Sequence, residues 1–261
     1  MKIGKCKLCL SDNIELLSES HIIPRFFHYG LKDDKKKYNL MMPDKFIEGK
    51  RQHWQNPSGA MYEGNLLCKN CDNVIIGSLE TNLSKILIEN EENYNKEDFY
   101  TDDKNIEFKI YKNIDYKKFK LGLLSILWRT SISNLEFFKE VNLTLVNSEN
   151  IRLMLLNNEA KNIEDYPIIS YLLNKVDEKN LIINPRYLNE NGNEYCKLII
   201  NGYVFLFIIR KLESSEKSIL LQYIPNHSGL IHMQIKEEKY MKKYVQDIII
   251  ATKMKLNEKL K

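Results

Sequence analysis

Leu66-Leu67-Cys68-Lys69-Asn70-Cys71-Asp72 carries two thiols separated by two residues, and the one other pair with that spacing is Cys6-Lys7-Leu8-Cys9. This spacing lets each pair clamp one side of a tetrahedral ion through metal–sulfur bonds of about 2.3 Å. Together, Cys6, Cys9, Cys68 and Cys71 specify a closed four-cysteine zinc site. A closed site has no open coordination position, so its zinc staples the fold and performs no chemistry. The residues after Met1 carry no apolar run and no small-residue cleavage site, so the expected compartment is the reducing cytoplasm, where such thiols bind metal rather than pair as disulfides.

Between the two pairs stands Ser20-His21-Ile22-Ile23-Pro24-Arg25. A lone histidine is usually a core or surface residue, but this setting gives it another meaning. Cys-x-x-Cys, about a dozen residues, His-Ile-x-Pro, then Asn-Leu ahead of a second Cys-x-x-Cys and a polar residue resembles the HNH endonuclease pattern. The Ser-His-Ile-Ile-Pro version, with Leu-Leu-Cys-x-x-Cys and a following Trp128-Arg129 helix, is similar to a group of bacterial proteins linked to phage defence.

The resemblance implies an N-terminal zinc-stapled ββα-metal module, treble-clef-like, that cuts DNA with one Mg²⁺ or Mn²⁺. It assigns the general base to His21, whose residue type titrates near neutral pH. It places a hard-metal ligand at Asp72, directly after the last zinc cysteine, and an orienting role at Asn65. It also implies control by a regulatory partner, such as an ATPase or sensor, or by homo-oligomerisation. A catalytically degenerate module that binds nucleic acid or protein within a larger complex is the alternative.

The chain departs from the family pattern in three places. Ser20 stands where an acid commonly helps hold the metal. The interval from Asn65 to Cys68 is short, which leaves Asn56 or Asn73 as alternatives for the orienting role. The long interval from His21 to Asn65 holds an insertion containing Arg51 and Trp54, candidates to meet a phosphate and to stack on a base. Arg25 is a second phosphate candidate. Glu80, eight residues beyond Asp72, falls about two helical turns on and is a candidate third ligand.

A net charge of +4 permits nucleic-acid binding through a local patch without requiring it. The longest apolar run is too short for a membrane span, and no P-loop motif supports nucleotide hydrolysis.

The cysteine pairs place a first domain at 1–95 and an α+β domain at 96–261. Within the latter, Ile106 to Ile110 alternates as a strand, and Tyr116 to Ser133 and Asn150 to Asn157 have helical spacing. Trp128 reads as core and Arg129 as half of an internal ion pair. Asn201-Gly202 predicts a two-residue type I′ hairpin between Cys196–Ile200 and Tyr203–Ile209. Ser218 to Ile224 and Leu230 to Ile235 are expected to extend it into a small antiparallel sheet, and Glu238 to Leu260 to close the chain as a long helix. Cys196 reads as a small buried side chain.

Overall fold

A computed structural model describes residues 2–28, 39–42, 61–89, 98–102, 105–173, 181–190, 193–213, 216, 228–236, 239, 240, 243, 244, 246, 247 and 250. The chain opens with a hairpin of β1 (Lys2–Gly4) and β2 (Ile14–Leu16), in register Lys2↔Leu16 and Gly4↔Ile14. Next comes β3 (Ser20–His21), then β4 (Asn39–Met41) and β5 (Tyr62–Glu63). A π-helical stretch, Asn70–Ile76, runs without a break into α1 (Gly77–Leu87). Strands β6 (Asp98–Thr101) and β7 (Glu107–Tyr111) precede α2 (Tyr116–Ile132) and α3 (Leu145–Leu156). The chain then builds β8 (Ile168–Leu173), β9 (Leu181–Glu190), β10 (Asn193–Ile200), β11 (Tyr203–Ile208) and β12 (Ile231–Lys236).

Helix α2 starts where Asp115 accepts a bond from the Lys118 N–H at 3.0 Å, satisfying one of the free donors of the first turn. Thr144 caps α3 in the same way through the Asn147 N–H. The sequence spacing gave α2 one apolar face, yet every residue from Phe119 to Thr130 is buried. It is the central helix of the fold, covered on all sides. Gly122 permits this packing against α1, because a Cβ there would lie 2.7 Å from Leu83 side-chain carbons.

The expected antiparallel sheet is larger and mixed. Among the described residues, eight strands lie in the order β4-β9-β10-β11-β8-β12-β7-β6. The Asn201-Gly202 turn forms as read, with both φ angles positive at 48° and 79° and Ile200 paired to Tyr203. Strand β12 does not extend this hairpin in antiparallel fashion. It lies parallel to β8 and antiparallel to β7. Strand β9 was not visible in the sequence because Pro185 interrupts it. There Asn184 and Pro185 together face Leu198 between the Lys197↔Arg186 and Ile199↔Ile183 pairs, a bulge that accommodates a residue without an N–H.

Residues from both sides of position 95 meet in one core. Strand β4 pairs in parallel with β9, Phe27 packs edge-on to Tyr203 and Phe205, and the Tyr203 hydroxyl donates to the Leu87 carbonyl. Trp128 and Cys196 are each 1% exposed, as their apolar reading requires. Lys239, Tyr240, Lys243, Tyr244, Gln246, Asp247 and Ile250 are helical within the expected terminal helix, whereas the stretch 218–224 lies outside the described residues.

Candidate metal centre and the polar cluster beside it

The first cysteine pair sits in the connection between β1 and β2. The Leu10 N–H folds back to the Cys6 carbonyl at 3.0 Å with Leu10 at φ 60°, and the Cys6 N–H donates to Ser11 O at 3.1 Å. The second pair sits where an extended segment turns into helix. Lys7 N–H donates to Leu66 O, Leu17 N–H to Leu67 O, and the Cys68 N–H points at Cys6 Sγ, 3.4 Å away. These ladders bring all four sulfurs within 4.8 Å of one another. A tetrahedron with bonds of about 2.3 Å has edges of about 3.8 Å, so this set fits a single ion.

Thiols this close compete for protons. The Cys71 side chain holds Cys6 down at about 4, while the same contact, together with burial, pushes Cys71 upward, and burial raises Cys68. Four thiolates at this separation need a cation among them, and soft sulfur donors select zinc-like ions. From α3, Arg152 reaches over this end, donating to the Leu8 carbonyl while pairing with Glu149 at 2.7 Å.

One residue past Cys71 the chemistry changes from sulfur to oxygen. Asp72 is half-buried on the π-helical stretch, and Glu80 lies further along on α1. Burial raises the Asp72 carboxyl. Arg129 opposes that shift, Glu80 adds to it, and Ser20 and His21 oppose it. Asp72, Glu80, Ser20, His21 and Arg129 therefore form one electrostatic cluster. Ser20 is fully buried, and its hydroxyl lies near enough to favour the charged form of Asp72 without an aligned hydrogen bond. Ser20 Oγ and Asp72 Oδ1 are buried atoms with no hydrogen-bond partner among the described residues.

His21 is half-buried on β3, paired with Tyr62 of β5. Arg129 is 1% exposed; it donates to the His21 carbonyl and lies 2.6 Å from Glu80 Oε1. The internal ion pair expected of Arg129 is thus present. Its grip on the His21 backbone has no sequence signal.

Asn65 is exposed at φ 63°, with its N–H donating to Leu17 O at 2.8 Å. That left-handed turn favours asparagine on backbone grounds alone. It follows Gly64, where a Cβ would meet Ser18 O at 2.5 Å. Arg25 is exposed and opens a short 3-10 turn, Arg25–His28. Asn73 is exposed, and Arg51, Trp54 and Asn56 lie outside the described residues. Among the described residues, no helix is long and apolar enough to cross a membrane. Compared with protein-family profiles, with curated proteins and with solved structures, the chain matches none.

Proposed function

We propose that this chain is a metal-dependent endonuclease of the HNH type acting on DNA, stapled by zinc at Cys6, Cys9, Cys68 and Cys71. The observation that carries the reading is the joining of His21 and Asp72, far apart in sequence, in one half-buried polar cluster beside Cys71 and the other three sulfurs. The donor sets suit two different ions. Sulfur alone suits structural zinc, whereas the unpartnered oxygens of Asp72 and Ser20 suit a hard ion such as Mg²⁺ or Mn²⁺.

In this reading the His21 imidazole takes the proton from the water that attacks the phosphodiester. Asp72, with the Ser20 hydroxyl beside it, holds the divalent ion, which when bound supplies positive charge against the charge developing on the phosphate and the leaving 3′ oxygen. The products carry 5′ phosphate. Arg25, on the exposed turn after His21, is suited to meet substrate phosphate, as are Arg51 and Trp54 of the insertion to meet phosphate and base. A cytoplasmic defence role under the control of a partner protein accords with the phage-defence resemblance.

The test is nicking of supercoiled plasmid with Mg²⁺ or Mn²⁺. Wild type should nick, and His21→Ala should be slower by about 10²- to 10⁴-fold, the usual contribution of a general base. Equal rates would remove His21 from the chemistry. One observation favours a second reading, a binding module without catalysis. Ser20 stands where the family has a ligating acid, and Glu80 is engaged by Arg129, so that of the two carboxylates described in this cluster only Asp72 is not so engaged. Wild-type protein that binds DNA but never nicks it would establish that reading instead.

A further inference from the structure

We infer that Arg129 is the positioning residue that holds His21 in place, and that the C-terminal end of α2 is the bracket for the whole β3–β5 ladder; this deepens, and rests on, the nuclease reading. The ladder is too short to orient a side chain by itself, consisting of the two residue pairs Ser20↔Glu63 and His21↔Tyr62. A general base must be held within hydrogen-bond reach of the proton it takes, so its backbone needs external support.

Helix α2 gives that support to both strands. On the β3 side, Arg129 Nη1 donates to the His21 carbonyl. On the β5 side, the carboxylate of Glu63 accepts from Ser133 Oγ at 2.6 Å, from the Asn134 N–H at 2.8 Å and from Asn134 Nδ2 at 2.7 Å. These are the residues that end α2 and begin the following turn.

The guanidinium is itself fixed. Its Nε donates to the Ser125 carbonyl at 3.2 Å, one turn back on the same helix, and Glu80 of α1 faces it at 2.6 Å. It is buried, so water does not compete for its donors. One planar group thus joins three elements: Nη1 faces both the strand bearing His21 and the helix bearing Glu80, while Nε bonds its own helix. A lysine ammonium is a point charge and cannot reproduce that arrangement. At Gly122, α2 lies close against Leu79 and Leu83 of α1, the residues that flank Glu80 on that helix.

The experiment uses zinc-loaded full-length protein and the variants Arg129→Gln and Arg129→Lys, with amide hydrogen exchange and plasmid nicking read in parallel. The reporter is the Ile22 N–H, next to His21, which donates to the Met61 carbonyl at 2.8 Å. The control is the Phe119 N–H at the other end of α2, which donates to Asp115 O at 2.9 Å. In both variants Ile22 should exchange about tenfold faster, as expected for loss of one buried hydrogen bond, with Phe119 unchanged. Nicking should lose about 10²-fold in kcat with KM little altered, the signature of a displaced catalytic group.

Should Arg129→Gln fail to fold, Arg129→Lys still places a positive charge opposite Glu80 and carries the same measurement. Wild-type exchange at Ile22 in the lysine variant, or full kcat there, would overturn the proposal. A wild-type protein that never nicks would instead remove the nuclease reading, while the Ile22 exchange rate would still decide whether Arg129 holds His21.

Discussion

The sulfur cluster and the oxygen cluster share one helical segment, which carries Cys71 of the first and Asp72 and Glu80 of the second, yet they differ in nearly every physical respect. Cys68 and Cys71 face two further thiols, so the set is closed and its components are alike. Asp72 and Glu80 face a serine, a histidine and a buried arginine, so that set has mixed charge and keeps unpartnered acceptors. The first arrangement fits one ion and has nothing left for a substrate. The second keeps capacity for a ligand, and the arginine limits the mutual repulsion of its two acids. A continuous helix across the boundary means that stapling the sulfurs also fixes the direction in which the acids point.

The largest expected effect comes from breaking the closed site. Cys71→Ser should lose zinc and unfold the N-terminal segment, because binding energy at structural zinc sites, on the order of 10 kcal/mol, is folding energy. Metal analysis and circular dichroism check this. Zinc-free protein with wild-type folding would end the reading of the sulfurs as a staple.

The two sites also differ in how far they could be read from the sequence. Two-residue cysteine spacing is a local signal tied to tetrahedral geometry, and Asn201-Gly202 is a local signal tied to positive φ. Both features formed where they were read. Strands β8 and β9 escaped, the latter because Pro185 argues against a strand until a bulge accommodates it. The mixed sheet escaped because parallel pairs such as β4 with β9 join distant segments and leave no local trace. Around Asp72, helical spacing pointed to Glu80, but nothing in the sequence ties Arg129 to the carbonyl of residue 21.

A smaller effect should separate the oxygen site from the staple beside it. Asp72→Asn keeps a side-chain oxygen but loses the charge that would hold the proposed hard ion. Zinc content should be retained and stability changed by no more than about 1 kcal/mol, a cap-sized effect. Cleavage should fall by about 10²- to 10³-fold, the scale for losing one electrostatic stabiliser. Unchanged cleavage and metal dependence would move the hard ion away from Asp72.

The smallest effect sharpens the contrast between two buried cations of α2. Arg129 faces an acid at 2.6 Å, whereas Lys120 bonds to the neutral Tyr116 hydroxyl and the Asn162 carbonyl. Burial lowers Lys120 to about 8, against the partial opposition of Asp165 and Glu164. The unfolded chain therefore binds more protons between about pH 8 and the ordinary lysine value. Stability from this group rises with pH across that window and is lowest below it. Lys120→Met should remove the rise, leaving a wild-type-minus-variant difference on the order of 2–3 kcal/mol between pH 7 and pH 10. Parallel denaturation curves at the two pH values would show that Lys120 carries no such penalty.

Strand β4 has a consequence for the order in which the protein is made. It emerges early, but its partner β9 begins at Leu181, and the helix end that grips His21 lies at Arg129. At ordinary rates of translation, roughly 140 residues between β4 and β9 take about ten to thirty seconds to synthesise. During that interval the thiols can already gather metal, while the insertion bearing β4 has no sheet to join. The His21 cluster therefore cannot close until Arg129, about halfway along the chain, has been made. A nascent fragment ending before residue 129 would carry the four thiols with an unbraced histidine, so the topology delays the bracing of His21 until about half of the polypeptide has been made.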